Sequence, residues 1–246
     1  MSKKYTSPPI IEVLCEFQFV PSQPWDFTIP GLLYERIKDR FPKKQQQMSF
    51  GIGFEPKEGG LEQKVELSQR IQFLRLDRTA LVQVGPDLLT VNHLQPYPTW
   101  DKFRPLVLEN LRIYQEISNP KGFKRIGLRY INKMEIPGKS IELAEYFNFY
   151  PFIPSDLPQV YGAFSIRVEV PYEEGRDRLL MTLGSTISEK PDTLSCILDL
   201  DYVMTTPEKV SLEQATNWVE RAHTIVEEAF EVCVTDKCRN LFQEEK

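Results

Sequence analysis

Residues 123–136, FKRIGLRYINKMEI, place Ile126, Leu128, Tyr130, Asn132, Met134 and Ile136 at one parity and Gly127, Arg129, Ile131, Lys133 and Glu135 at the other. Successive side chains of a strand point to opposite faces, so this pattern predicts a long strand with one core face and one polar face. Residues 11–20, IEVLCEFQFV, alternate in the same way, with Val13, Cys15, Phe17 and Phe19 inward and Glu12, Glu16 and Gln18 outward. After Pro21, Pro24 and Trp25, the tripeptide Ile29-Pro30-Gly31 opens a predicted helix that runs through Phe41 and stops at Pro42. From 48 to 94, five short runs (MSFGIGFE, QKVELS, RIQFLRL, ALVQVG and LLTVNHL) are separated by turn residues at Gly59-Gly60, Asp77-Arg78 and Gly85-Pro86-Asp87. These predict an antiparallel meander. Phe103, Val107, Leu111 and Tyr114 recur at helical spacing over 100–117, and Asn119-Pro120-Lys121-Gly122 ends that helix.

The order then repeats. The strand over 123–136 leads into Ile136-Pro137-Gly138 and a predicted short helix, SIELAEYF. Strand-like runs follow over 160–170, 178–188 and 194–203, and a long helix begins near Ser211 with Leu212, Ala215, Trp218, Val219, Ala222, Val226, Ala229 and Phe230 as its buried stripe. Each half thus reads strand, short helix, meander, long helix. The expected fold is α+β, built of duplicated half-domains, 1–120 and 121–246, that join into one curved sheet with both long helices on one face. The opposite face is expected to be open and polar.

A length of 246 residues with 41% hydrophobic residues is ample for a core. The net charge of −5 argues against a generic electrostatic grip on nucleic acid. No apolar run approaches a membrane span, and none follows the lysines of the opening MSKKYTSPPI, so a cytoplasmic location away from the membrane is expected. Cys15 and Cys196 fall within strand-like runs, while Cys233 and Cys238 have a poor zinc spacing; reduced, mostly buried thiols are expected, and no metal or cofactor is assigned.

Nothing in the sequence supports nucleophilic catalysis. Gly51-Ile52-Gly53 is not followed by a phosphate-binding Gly-Lys-Ser/Thr, and Leu183-Gly184-Ser185-Thr186 reads as a strand carrying a glycine at a bulge. His93 and His223 are far apart in sequence; His223 sits at the edge of the last helix's stripe, where a structural or partner contact is expected. Trp25, Trp100 and Trp218 read as core anchors. The candidate surface lies on the polar strand positions. Glu12 and Glu16, Arg129 and Lys133, Arg167 and Glu169, and Asp199 and Asp201 are same-face pairs, and with His223 they supply the candidate ligand or partner residues Arg129, Lys133, Arg167, Glu169, Asp199, Asp201 and His223.

Pro8-Pro9-Ile10 with Glu16-Phe17, then Trp25-Asp26, Gly31-Leu32-Leu33-Tyr34-Glu35, the central Gly127-Leu128-Arg129-Tyr130-Ile131-Asn132 and the closing Trp218, Ala222-His223, Phe230-Glu231 and Thr235-Asp236 resemble a family of bacterial proteins of sporadic distribution, over essentially the whole chain. The resemblance implies no particular activity, cofactor or catalytic residue. Its patchy distribution is of the kind associated with antiviral defence or toxin–antitoxin loci. Three functions stand open: a non-catalytic binding or regulatory component with a protein partner, encoded nearby or a second copy of the chain; nucleic-acid or nucleotide binding on the open sheet face; and a metal-dependent phosphodiester- or nucleotide-processing enzyme centred on Asp199 and Asp201.

Overall fold

A computed structural model describes residues 5–57, 60–138 and 140–243. In chain order the elements are β1 (Ile10–Val20), α1 (Ile29–Ile37), β2 (Lys43–Lys57), β3 (Gly60–Leu74), β4 (Ala80–Gly85), β5 (Leu88–Leu94), α2 (Trp100–Ser118), β6 (Gly122–Pro137), β7 (Ser165–Tyr172), β8 (Asp177–Thr186), β9 (Thr193–Met204), α3 (Ala215–Cys233) and α4 (Asp236–Arg239). The fold is α+β. Among the described residues, nine strands make one open antiparallel sheet in the order β2-β3-β4-β5-β1-β6-β9-β8-β7. No helix among them is long and apolar enough to cross a membrane.

The two strands with the clearest alternation, β1 and β6, pair at the centre, with Leu14 opposite Arg129 and Leu128 opposite Cys15. Their inward side chains begin the core. Phe17, Phe19 and Phe123 have ring centroids 5.4 to 6.3 Å apart, and Tyr114 of α2 stacks on Phe19 at 4.6 Å. On the other side of β6, Trp218 of α3 lies 5.5 Å from the Tyr202 ring of β9. Both rings surround Asp177, whose side chain is fully buried at the start of β8. Its carboxylate accepts from Arg176 (3.0 and 2.6 Å), the Tyr202 hydroxyl (3.0 Å) and the Trp218 indole N–H (3.3 Å). A buried charge is tolerated only when it is paired and hydrogen-bonded in this way. All four cysteines are free and buried.

Several boundaries differ from the sequence expectation. Helix α1 closes at Ile37 instead of Phe41, although the buried Phe41 still donates its N–H to the Ile37 carbonyl at 2.9 Å through a turn. The predicted short helix after Gly138 is a single 3₁₀ turn, Leu143–Glu145; so short a segment cannot recover the cost of nucleating an α-helix, and Phe147 instead bridges to Val234. The runs QKVELS and RIQFLRL belong to one strand, β3, because no turn residue separates them. The Gly59 half of the Gly59-Gly60 turn lies outside the described residues. Strand β7 starts at Ser165, after the 160–164 stretch also read as strand, and α3 starts at Ala215. Ser211 spends its hydrogen bonds in a local turn, its hydroxyl on Glu213 and its N–H on the Gln214 side chain. Gly184 sits in regular register between Ser165 and Ile197, without a bulge; its bare Cα leaves room for the Phe164 carbonyl, 3.3 Å from where a Cβ would stand.

Helix α2 ends as its sequence dictates. Asn119 adopts the left-handed conformation (φ 44°) that asparagine tolerates, bonds back to the Gln115 carbonyl at 2.9 Å, and is followed by Pro120, which cannot continue the helix.

Candidate functional site

The antiparallel register sets the outward residues of adjacent strands side by side, and the polar face carries an amide relay with separate groups of ion pairs beside it. On its first half a relay of amides crosses five strands. Gln45 of β2 donates to Gln72 of β3 (2.5 Å), Gln72 to Gln83 of β4 (2.9 Å), Gln83 to Asn92 of β5 (2.8 Å), and Asn92 to the Glu12 carboxylate of β1 (2.6 Å). Every link points the same way and ends on a charge. Gln72, Gln83 and Asn92 are buried although they sit on this face, at the floor of a depression of about 740 Å³. Buried amides are stable only with their donors and acceptors satisfied, which the relay achieves.

On the second half the pairing is ionic. Arg125 of β6 lies between Glu16 of β1 (2.8 Å) and Asp201 of β9 (3.3 Å). Gly127 makes this possible, since a Cβ there would stand 3.0 Å from the Arg125 guanidinium. Arg129 grips Asp199 through Nε (2.7 Å) and Nη2 (2.5 Å), the fork geometry that suits a carboxylate. Burial pushes the Asp201 carboxyl up to about 6, against the lowering influence of Arg125 and Arg129. Lys133 pairs with Glu135 at 3.7 Å, and Arg167 with Glu169 at 3.1 Å on β7. The structure therefore gathers Arg129, Asp199 and Asp201, with Arg125 as the residue that sequence reasoning passed over. Arg167 and Glu169 stand on the same face at the sheet edge, in line with Thr182 and Leu180 of β8. Asp199 and Asp201 each engage a guanidinium, and among the described residues no three His, Cys, Asp or Glu side chains converge as a metal site.

His223 is elsewhere. It stacks on Trp100 at 4.0 Å, nearly parallel, with its Nδ1 3.1 Å from the Tyr130 hydroxyl, which is itself 3.1 Å from the Tyr97 hydroxyl. Because Tyr130 has the inward parity of β6, this chain lies on the core side, in a cleft of about 470 Å³. Burial pushes His223 down to about 4 and both phenols well above their ordinary range. At neutral pH the imidazole is neutral and weakly basic, a poor match for a general base. Trp100, read from the sequence as a core anchor, packs against the core beside Phe103 and also lines this cleft.

Comparison with protein-family models, curated proteins and solved structures finds no match to this chain.

Proposed function

We propose that this chain is a non-catalytic binding component that engages a protein partner through the polar face of its sheet. The observation that carries the reading is the fixed pairing on that face, an amide relay running into Glu12 beside the Arg125 and Arg129 ion pairs. Such a surface offers preorganised donors and acceptors with carboxylates and guanidiniums in near balance. Complementarity of this mixed kind suits a protein surface, whereas a polyphosphate is held by an excess of positive charge. The resemblance to sporadically distributed bacterial proteins fits a partner encoded nearby, in a defence or toxin–antitoxin setting. We also read residues 1–120 and 121–246 as duplicated half-domains with the long helices on one side. In support, the first strand of each half pairs with the last strand of its meander, β1 with β5 and β6 with β9, and the halves meet through β1 and β6.

The test is capture of a partner from a bacterial lysate, followed by affinity measurement with the purified pair. Arg129→Ala and Gln83→Leu should each weaken binding by about ten-fold or more, equivalent to about 1.4 kcal/mol. Loss of the Arg129 pair, 40% exposed on the arginine side chain and 18% on Asp199, should cost the fold about 1 to 3 kcal/mol. Unchanged affinity in both stable variants would move the working surface off this face. A fall in affinity of about 1,000-fold or more between about 50 and 200 mM salt would assign it to nucleic acid instead.

A further inference from the structure

The cleft behind β6 has a chemistry of its own. Tyr5, Tyr97, Trp100, Tyr130 and Phe230 supply aromatic wall, and Ile10, Leu200 and Val226 fill between them. The charged side chains at its edge are Asp101, Glu227 and Glu231; among the described residues that line it there is no Lys or Arg. Glu231 is already committed, accepting from the Tyr5 hydroxyl at 2.7 Å and pairing with Arg239 at 2.9 Å. Asp101 stands exposed in the first turn of α2, one residue beyond Trp100. His223 adds no positive charge, since it is neutral above about pH 4. An anion entering this space would meet carboxylates and the negative faces of π systems. A cation would find both favourable.

From this complementarity we propose that the cleft is a binding site for a small organic cation, a protonated amine or quaternary ammonium, held against Trp100 and the tyrosine rings with Asp101 at the mouth. Aromatic faces attract such cations through their quadrupole, and desolvated sites strengthen the attraction. The volume of about 470 Å³ lies within the range of small-molecule pockets. Asn132, buried on the cleft wall, already donates to the Leu198 carbonyl at 3.1 Å, so the amide is fixed and the aromatic wall is left to define the shape. This site is independent of the polar face, from which it is separated by the thickness of the sheet.

The probes are choline and its neutral isostere 3,3-dimethylbutan-1-ol, titrated against the intact chain by calorimetry and tryptophan fluorescence, with a short series of primary amines and polyamines alongside. Saturable binding of at least one cation is expected, about ten-fold or more tighter than that of a neutral isostere, with a change in Trp100 emission that Trp100→Phe removes. Asp101→Asn, a substitution at an exposed position, should weaken binding by about three-fold or more with melting unchanged. Trp100→Leu should abolish it; where that variant melts early, Trp100→Phe and Asp101→Asn carry the comparison alone. Equal affinity for the choline and isostere pair, insensitivity of binding to Asp101→Asn and Trp100→Phe together, or no saturation by any cation at about 10 mM, weaker than roughly 3 kcal/mol of affinity, would each overturn the assignment.

Discussion

Removing the Asp177 carboxylate should damage this fold more than its size suggests. The side chain is fully buried and takes four hydrogen bonds from three side chains on different elements, Arg176 beside it, Tyr202 on β9 and Trp218 on α3. Asp177→Ala leaves the Tyr202 hydroxyl and the indole N–H without an acceptor in the core, at about 1 to 3 kcal/mol for each unsatisfied group. It also strips Arg176 of its main partner, and breaking a buried pair costs about 3 to 5 kcal/mol in total. These costs overlap, because the same donors are counted in both, so about 3 to 5 kcal/mol is the expected loss. At about 2 to 4 °C per kcal/mol for a domain of this size, the melting temperature should fall by about 6 to 20 °C. Trp218→Phe removes only the indole donor and part of a ring that is 4% exposed, so it should cost less. Calorimetry of the single and double variants of Asp177 and Trp218 measures their coupling, expected at about 0.5 to 3 kcal/mol. A loss below about 1 kcal/mol for Asp177→Ala, or strict additivity with Trp218→Phe, would refute the view that this carboxylate ties β8, β9 and α3 together.

Two further perturbations read the polar face and the cleft. Gly127→Ala should push the Arg125 guanidinium away from Asp201 and raise the Asp201 pKa above its value of about 6, because Arg125 holds it down; an NMR titration showing no rise would mean that Arg125 keeps its bridge. The same carboxyl and His223 should pull stability in opposite directions with pH. Asp201, raised from 3.8, makes the native state bind more protons between pH 4 and 6, so its contribution is lost as pH rises through about 6. His223, lowered from 6.5, makes the unfolded state bind more protons, so its contribution is lost as pH falls through about 4. Each is worth up to about 3 kcal/mol. Urea denaturation from about pH 4 to 6.5 should therefore rise more steeply with pH in Asp201→Asn than in the parent, and less steeply in His223→Gln; parallel curves for all three would contradict both burial effects.

The strands that were easiest to read are those whose environment is most one-sided. β6 buries Leu128, Tyr130, Asn132 and Met134 while Arg129, Ile131 and Lys133 stay half-exposed, so parity alone identifies both its faces. α2 and α3 were legible for the same reason, through their apolar stripes, and α2 also through the Asn119-Pro120 that ends it. Pairing was not legible. That β1 sits between β5 and β6 depends on contacts between residues far apart in the chain, such as Gln18 with Leu88 and Ile10 with Asn132, for which local periodicity carries no signal. The amide relay did leave a trace, since Gln72, Gln83 and Asn92 are amides set beside apolar residues in their strand runs, but only the folded sheet reveals that they are consecutive neighbours. The cleft left even less, because Tyr97 and Trp100, Tyr130, and His223 come from three separate stretches and each resembles an ordinary core residue until they are brought together.

The arrangement of the ion pairs also constrains what a partner must bring. Arg129 stands directly opposite Asp201 yet spends its fork on the diagonal neighbour Asp199, leaving Arg125 to bridge Glu16 and Asp201. A carboxylate arriving on this face gains the Nε–Nη2 fork of Arg129 only by releasing Asp199, whose side chain is 18% exposed and would be left poorly solvated. Charge for charge, such an exchange is close to neutral, and desolvation tips it against a ligand that carries one sign alone. A surface that presents a carboxylate and a donor together can replace both halves of the pair at once. The same reasoning holds at the relay, where an intruding acceptor would have to displace Glu12 from Asn92 and supply a new donor to Glu12. Mixed, spatially fixed donors and acceptors are what a folded protein surface offers and a polyanion lacks, so the internal pairing of this face selects for the kind of partner proposed for it.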